Sequence, residues 1–253
     1  MAADKSPLVT SVVQAAAVLR YLGSIEGGKG VSAVAKAVGI GRSSCFNILR
    51  TLVAVDLATF DPASKSYAIG VGAIDLARLS LRRDSAIAVA KEGMASLATR
   101  FDAAVGLWRI ASRDRLMLIH LAATEAGTRI HLTVGQRQPI AAGATGRCVL
   151  AARSLSDEEI AHLYTGVRCA QRPPLKTYLR QVREAEKRGY AIDQDELLRG
   201  ISSVAAPIIE DDGTVKSCLS VTLFTGQYPP EVMPTIGEAL RQLAQAVGKA
   251  SDG

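Results

Sequence analysis

Residues 31–52, VSAVAKAVGIGRSSCFNILRTL, constrain the chain most, because they read as two short helices joined by a tight turn. In the second helix Cys45, Ile48, Leu49 and Leu52 recur at i, i+3, i+4 and i+7, so they share one face that must be buried. Ser43, Phe46, Asn47 and Arg50 fall on the opposite face. Between the helices, Gly39-Ile40-Gly41 offers a glycine for a left-handed turn, an apolar plug and a second flexible residue. This pattern is that of a helix-turn-helix whose second helix enters a DNA groove, with an ordinary helical hairpin as the alternative.

The residues after the second helix favour DNA. Leu57-Ala58-Thr59-Phe60 and Ser66-Tyr67-Ala68-Ile69 are strand-like runs flanking Asp61-Pro62-Ala63-Ser64-Lys65, whose Pro, Asp and Ser signal a hairpin turn. A hairpin directly after a recognition helix is the wing of a winged helix-turn-helix, and Lys65 would stand at its tip. The candidate DNA contacts are therefore Arg42, Ser43, Ser44, Phe46, Asn47, Arg50 and Lys65. Asn47 can pair with adenine in the major groove. Phe46 has two readings at this point, contact with a thymine methyl or packing under the wing.

Charge follows the same division. Residues 1–83 hold ten Lys/Arg against five Asp/Glu, whereas residues 84–253 hold twenty against nineteen. The basic excess thus accompanies the helix-turn-helix, as an electrostatic footprint for phosphate requires, although a solvated basic face has the same composition. The four cysteines show no C-x-x-C spacing and no secretory leader is evident, which points to a reducing cytoplasm. No apolar run approaches the ~18 residues of a membrane span.

Along the chain, residues 9–22 carry an apolar stripe of Val12, Ala15, Ala16, Leu19 and Leu22, predicting a supporting helix. Gly27-Gly28-Lys29-Gly30 breaks the chain, and Ser32 is the expected N-cap of the next helix. The chain divides into three regions: residues 1–70 as the winged helix-turn-helix, 71–83 as a linker helix, and 84–253 as an α+β domain with an antiparallel sheet and helices packed on it. Within the last, residues 86–100 predict a helix, and 103–110, 115–122 and 128–134 predict strands. Residues 135–139 read as a loop. Gly143-Ala144-Thr145-Gly146 opens a helix to about residue 152, Ser156 caps another, and residues 175–188 form a long helix stopped by Gly189. Residues 201–209 and 215–223 predict a hairpin, and 230–248 a final helix.

The glycine-bracketed turn at 143–146 lets backbone approach a ligand closely, and the helix it opens presents free N–H groups and a positive dipole end. A carboxylate would be favoured there. Ser203, Ser220 and Thr222 are candidate hydroxyl partners, the last two sharing a strand face at spacing two. Asp193 suits a ligand hydroxyl or a backbone N–H, since a second carboxylate would repel it.

Taken together, VGQRQPIAAGATGRCVLAA, RGYAIDQDELLRGISSVAAPIIEDDG and the SCLSVT strand, in order behind the winged motif, resemble the IclR-type bacterial transcriptional regulators over nearly the whole chain. The resemblance implies a winged helix-turn-helix, a linker helix and a GAF-like C-terminal domain that binds a small metabolite, often an organic acid. It also implies a dimer or tetramer on a pseudo-palindromic double-stranded operator; no cofactor, metal or membrane is expected from the sequence. Residue by residue, the family's ligand loop matches Ala144, Thr145 and Gly146, its acidic contact after Gly-Tyr matches Asp193, and later pocket positions match Ser203, Ser220 and Thr222. The family commonly has Gly-Ala or Ala-Leu where this chain has Ala144-Thr145, and often a basic residue in place of Asn47.

Two other classes compete with a regulator. An enzyme would pair Cys148 or Ser203 with His120, His131 or His162, but no G-x-S-x-G elbow, phosphate loop, dinucleotide fingerprint or metal-like histidine spacing occurs. Cys148 reads instead as a small buried hydrophobe. A metabolite sensor that acts on protein partners would suit Asn47, whereas Arg42, Arg50 and Lys65 speak for DNA.

Overall fold

Gly39 forms the turn that the sequence demands, with φ +73° directly after the helix it ends. Its amide donates to the Ala35 carbonyl at 2.9 Å, and Ile40 donates to the same oxygen at 3.0 Å. In the computed structural model, which describes residues 8–76, 85–124 and 130–250, the chain divides into two units between residues 83 and 84. The first contains α1 (Thr10–Gly23), α2 (Val31–Val38), α3 (Arg42–Ala54), β1 (Ala58–Asp61) and β2 (Ser66–Ile69). Cys45, Leu49 and Leu52 of α3 pack with Val34 of α2 and with Val18 and Leu22 of α1, while Ile48 is partly buried beside them. This small core reaches only the second half of α1. Val12, expected within the stripe, is therefore exposed, and Val18 takes the central place.

The hairpin forms in the expected register, Ala58 opposite Ile69 and Asp61 opposite Ser66. The Asp61 carboxylate accepts from the amides of Ala63 at 3.0 Å and Ser64 at 3.3 Å, which closes the turn. Lys65 sits exposed in that turn with φ +52°. Residues 27–30 are more than a break. Lys29 and Tyr67 exchange two backbone bonds of 2.9 Å, so the segment enters α2 in extended form. Gly30 consequently caps α2, and Ser32, expected as the cap, lies exposed inside the helix. Residues 72–76 are helical, and the rest of the expected linker helix, 77–83, lies outside the described residues.

The second unit runs α4 (Ser85–Phe101), β3 (Ala104–Ser112), β4 (Arg115–Ala122), β5 (Arg137–Pro139), α5 (Gly143–Ala152), α6 (Asp157–Thr165) and α7 (Leu175–Arg188). It continues with β6 (Ala191–Gln194), β7 (Ile201–Ile209), β8 (Val215–Phe224), a 3-10 turn (Pro230–Val232) and α8 (Met233–Lys249). Its strands form one antiparallel sheet in the order β5-β4-β3-β8-β7-β6, which makes the unit α+β. The period of two in β8 assigns each face. Leu219, Val221 and Leu223 pack on α4 and α8, together with Val105 and Leu107 of β3, whereas Cys218 joins Trp108 and Ala205 against α5 and α7.

One strand is displaced from its expected place. Residues 130–134 of the run expected at 128–134 are not strand, and 128–129 lie outside the described residues. The neighbour of β4 is 137–139, the stretch expected to be loop. Leu118 donates to the Gln136 carbonyl at 3.0 Å and accepts from Gly135 at 2.7 Å, so bonding to β4 begins at the glycine turn and the ladder follows at 137–139. Pro139 is tolerated because β5 is the sheet's edge, where a missing donor costs no interior bond. Elsewhere Ser156 and Glu159 form a reciprocal capping box on α6, and Gly189 ends α7 with φ +74°.

The turn chemistry predicts opposite signs for two glycines whose added Cβ would touch nothing within 4 Å. Gly39→Ala, at positive φ, should lower stability by about 1 kcal/mol, whereas Gly23→Ala, at the end of α1, should raise it by about 0.5 kcal/mol. Urea unfolding followed by circular dichroism checks both.

Candidate DNA interface and effector cavity

The outer face of α3 presents Arg42, Ser43, Ser44, Phe46, Asn47 and Arg50, all exposed, and Lys65 stands on the hairpin turn beside it. α3 and the hairpin border a groove of about 1050 Å³ lined by Arg42, Ser43, Phe46, Phe60, Pro62 and Lys65, among others. Phe46 is 42% exposed and lies outside the core of its unit, which speaks against packing in the core. The Arg50 guanidinium carbon lies 5.8 Å from its ring centre. The expected set omits Phe60. Its register opposite Tyr67 turns it toward the groove side of the hairpin, with the two ring centres 4.7 Å apart.

In the second unit, a cavity of about 90 Å³ opens between the start of α5 and the face of the sheet that carries Trp108. Ala144, Thr145, Asp193, Ser203, Ser220 and Thr222 all line it. Asp193, Ser203 and Thr222 stand in one row across β6, β7 and β8. Ser220 lies two residues along β8, and its Oγ accepts from the Trp108 indole N–H at 2.9 Å. Gly106 makes that pair possible, since a Cβ there would fall 2.8 Å from the indole nitrogen. On the opposite wall, the first bond of the α5 ladder runs from Gly146 N–H to the Ala142 carbonyl, 2.9 Å, so the amides of Gly143, Ala144 and Thr145 precede it. Ala142 supplies no side-chain cap. The Thr145 hydroxyl donates to the Ala142 carbonyl at 3.1 Å and accepts from the Gln138 amide.

Behind this wall lies Arg147, 2% exposed. Its guanidinium donates to the Asp193 carboxylate at 3.0 Å, the Ile192 carbonyl at 3.1 Å and Gln181 Oε1 at 3.1 Å, and it also pairs with Glu196. Asp193, 3% exposed, further accepts from the Leu197 amide at 3.3 Å. It thus lends one face to the cavity and the other to a buried cation.

Residues 78–249 match the family described as bacterial transcriptional regulator IclR C-terminal, and residues 11–62 match the IclR helix-turn-helix domain. The chain belongs to the IclR family of transcriptional regulators. The HTH-type transcriptional repressor AllR of Escherichia coli (strain K12) is 23% identical over 239 residues, spanning 92% of this chain and 87% of that protein. Among solved structures, the IclR transcriptional regulator of Alicyclobacillus acidocaldarius superposes with a TM-score of 0.83 at 28% identity, covering 97% of this chain and 100% of that one. An IclR homolog of Microbacterium hydrocarbonoxydans, solved in complex with 4-hydroxybenzoate, gives 0.77 at 17% identity over 95% and 98% of the two chains, a likeness of fold.

Within this IclR-type chain one expected ligand position is misplaced. Gly146 does not line the cavity. A Cβ there would fall 2.3 Å from the Ala141 carbonyl carbon and 2.8 Å from the Ile140 oxygen, so the glycine serves the close passage of α5 over the turn that precedes it. A side chain at 146 would disrupt that packing before it reached a ligand. The sequence reading also missed Arg147, Glu196 and Gln181, and with them Trp108, Gln138 and Leu197 of the cavity wall. Cys148 is buried as expected; its thiol lies 3.3 Å from the Thr145 carbonyl and burial pushes its pKa well up, the reverse of an activated nucleophile. His120 is partly buried, which together with Lys91 holds its pKa below the usual range. Among the described residues no group of His, Cys, Asp and Glu could hold a metal ion, and no helix is long and apolar enough to cross a membrane.

Arg147→Met should destabilise the effector unit by about 3 kcal/mol or more, because it strands the Asp193 carboxylate without its buried partner. The double variant Arg147→Met with Asp193→Asn should recover part of that loss in thermal or denaturant unfolding.

Proposed function

We propose that the protein binds a two-fold symmetric operator as a homodimer or tetramer in the bacterial cytoplasm, and that a small organic acid entering the cavity shifts its operator affinity. The DNA reading rests on the outward face of α3, where Arg42, Ser43, Ser44, Asn47 and Arg50 stand together and Lys65 is placed for a flanking phosphate. Arg42, Lys65 and the hydroxyls fix position on the backbone, and Asn47 reads a base edge. Regulation rather than catalysis is supported by the chain's family and by the inert environment of Cys148.

One observation carries the effector reading: the uncapped first turn of α5 faces a row of hydroxyls on β7 and β8 across a narrow cavity. Three amides and the positive end of the helix favour a carboxylate, and Ser203, Thr222 and Ser220 orient its remaining polar atoms. Asp193 is committed to Arg147 and accepts a ligand hydroxyl rather than repelling the acid. The volume is well below the ~300 Å³ of pockets for drug-sized ligands, which favours a compact acid. That the Microbacterium homolog was solved with an aromatic acid supports the same class.

Electrophoretic shifts with the chain's own upstream region test the first part. Affinity should fall steeply with salt as phosphate contacts release counterions. Arg42→Ala and Lys65→Ala should weaken all duplexes alike, while Asn47→Ala should relax preference at one position, at a cost of about 1–3 kcal/mol for the preferred base. Salt-independent binding would overturn the reading.

A thermal-shift screen of compact and aromatic carboxylic acids tests the second part, since a ligand of the native state raises its melting temperature. The acid that does so should lose about 1 kcal/mol, several-fold in affinity, in Thr222→Val or Ser203→Ala. Unchanged affinity in both variants would place the effector elsewhere.

A further inference from the structure

Single exposed hydrophobes are ordinary, but two exposed aromatic rings lining one groove with a cationic rim are not. Phe46 enters the groove from α3 and Phe60 from β1, each 42% exposed. Phe60 contacts the Tyr67 ring, and the Arg50 guanidinium lies beside Phe46. Arg42 and Lys65 border the same groove, and Pro62 adds apolar surface at the hairpin turn. A polyanion is drawn by such a rim, yet the rings offer it no hydrogen bond. The occupant must therefore bring apolar carbon close to its phosphates. Duplex DNA does so in its major groove at one place, the C5-methyl of a pyrimidine.

We propose that Phe46 and Phe60 form an apolar slot for the C5-methyl group of an operator pyrimidine, thymine or 5-methylcytosine. This rests on the reading of α3 as the recognition helix. Sequence is then read by two chemistries from neighbouring positions: Asn47 by hydrogen bonds to a base edge, and Phe46 with Phe60 by burial of a methyl group. The wing thereby acts in base selection as well as in phosphate contact, because one of the two walls belongs to β1.

Selection supplies the operator for the test. The full chain selects duplexes from a random library, and each thymine of the selected half-site is replaced in turn by uracil, which removes a methyl and leaves every hydrogen-bonding group in place. One or two positions per half-site should lose about three- to fourfold in affinity, the worth of one buried methyl. At those positions Phe46→Ala should bind thymine and uracil duplexes alike, and Phe60→Ala should reduce the ratio. A parallel scan of cytosine against 5-methylcytosine separates the two sources of the methyl, a gain without any uracil effect pointing to methylated DNA. If both scans are flat for the unaltered protein, or if both variants keep the ratio of the unaltered protein, the slot takes no methyl and its partner is another molecule. A chain that selects no duplex overturns the DNA reading and this inference together, whereas tight duplexes with flat scans overturn this inference alone.

Discussion

A guanidinium withdrawn from water must have its donors met, and the demand made by Arg147 organises the effector unit. Its partners come from α7, from β6 and from the loop beyond β6 that holds Glu196. None of these is adjacent in sequence to α5, which carries Arg147. One side chain therefore fixes where the first turn of α5 stands relative to the sheet, and the candidate cavity is the space left between them. Four of the buried polar side chains, Thr145, Arg147, Asp193 and Ser220, belong to that wall or to its support. Such a network is tolerable only when satisfied, and no buried side-chain polar atom among the described residues lacks a partner.

The DNA-binding unit has a much smaller core and relies on backbone devices instead. Gly39 sets the angle between α2 and α3, and the Lys29–Tyr67 bridge ties the root of the wing to the start of α2. The bridge acts together with the core, where Tyr67 and Ala58 of the wing pack with Cys45, Leu49 and Leu52 of α3. The result is a groove with mixed walls, aromatic and cationic.

Local signals in the sequence were reliable wherever the physics is local. The hairpin of β7 and β8, the capping box at Ser156, the glycine stop after α7 and the buried face of α3 each come from spacing or from one residue's backbone preference. Ser32 and the edge strand 137–139 were misread because pairing partners elsewhere, Tyr67 and β4, override local propensity. Arg147 was invisible for a related reason: a lone arginine reads as surface, and its partners lie 34 to 49 residues away. The close approach at Gly146 is to the backbone of Ile140 and Ala141 and not to a ligand, because a glycine does not say what approaches it. Ser203, Ser220 and Thr222 could be placed together because an alternating strand fixes which side chains share a face.

The glycine at 106 leaves a further mark on the molecule. By giving the indole of Trp108 room to reach Ser220, it sets the chain's only tryptophan in the wall of the cavity and in hydrogen-bond contact with one of its hydroxyls. The protein's indole fluorescence is in consequence an optical probe of that one compartment, uncontaminated by signal from the DNA-binding half.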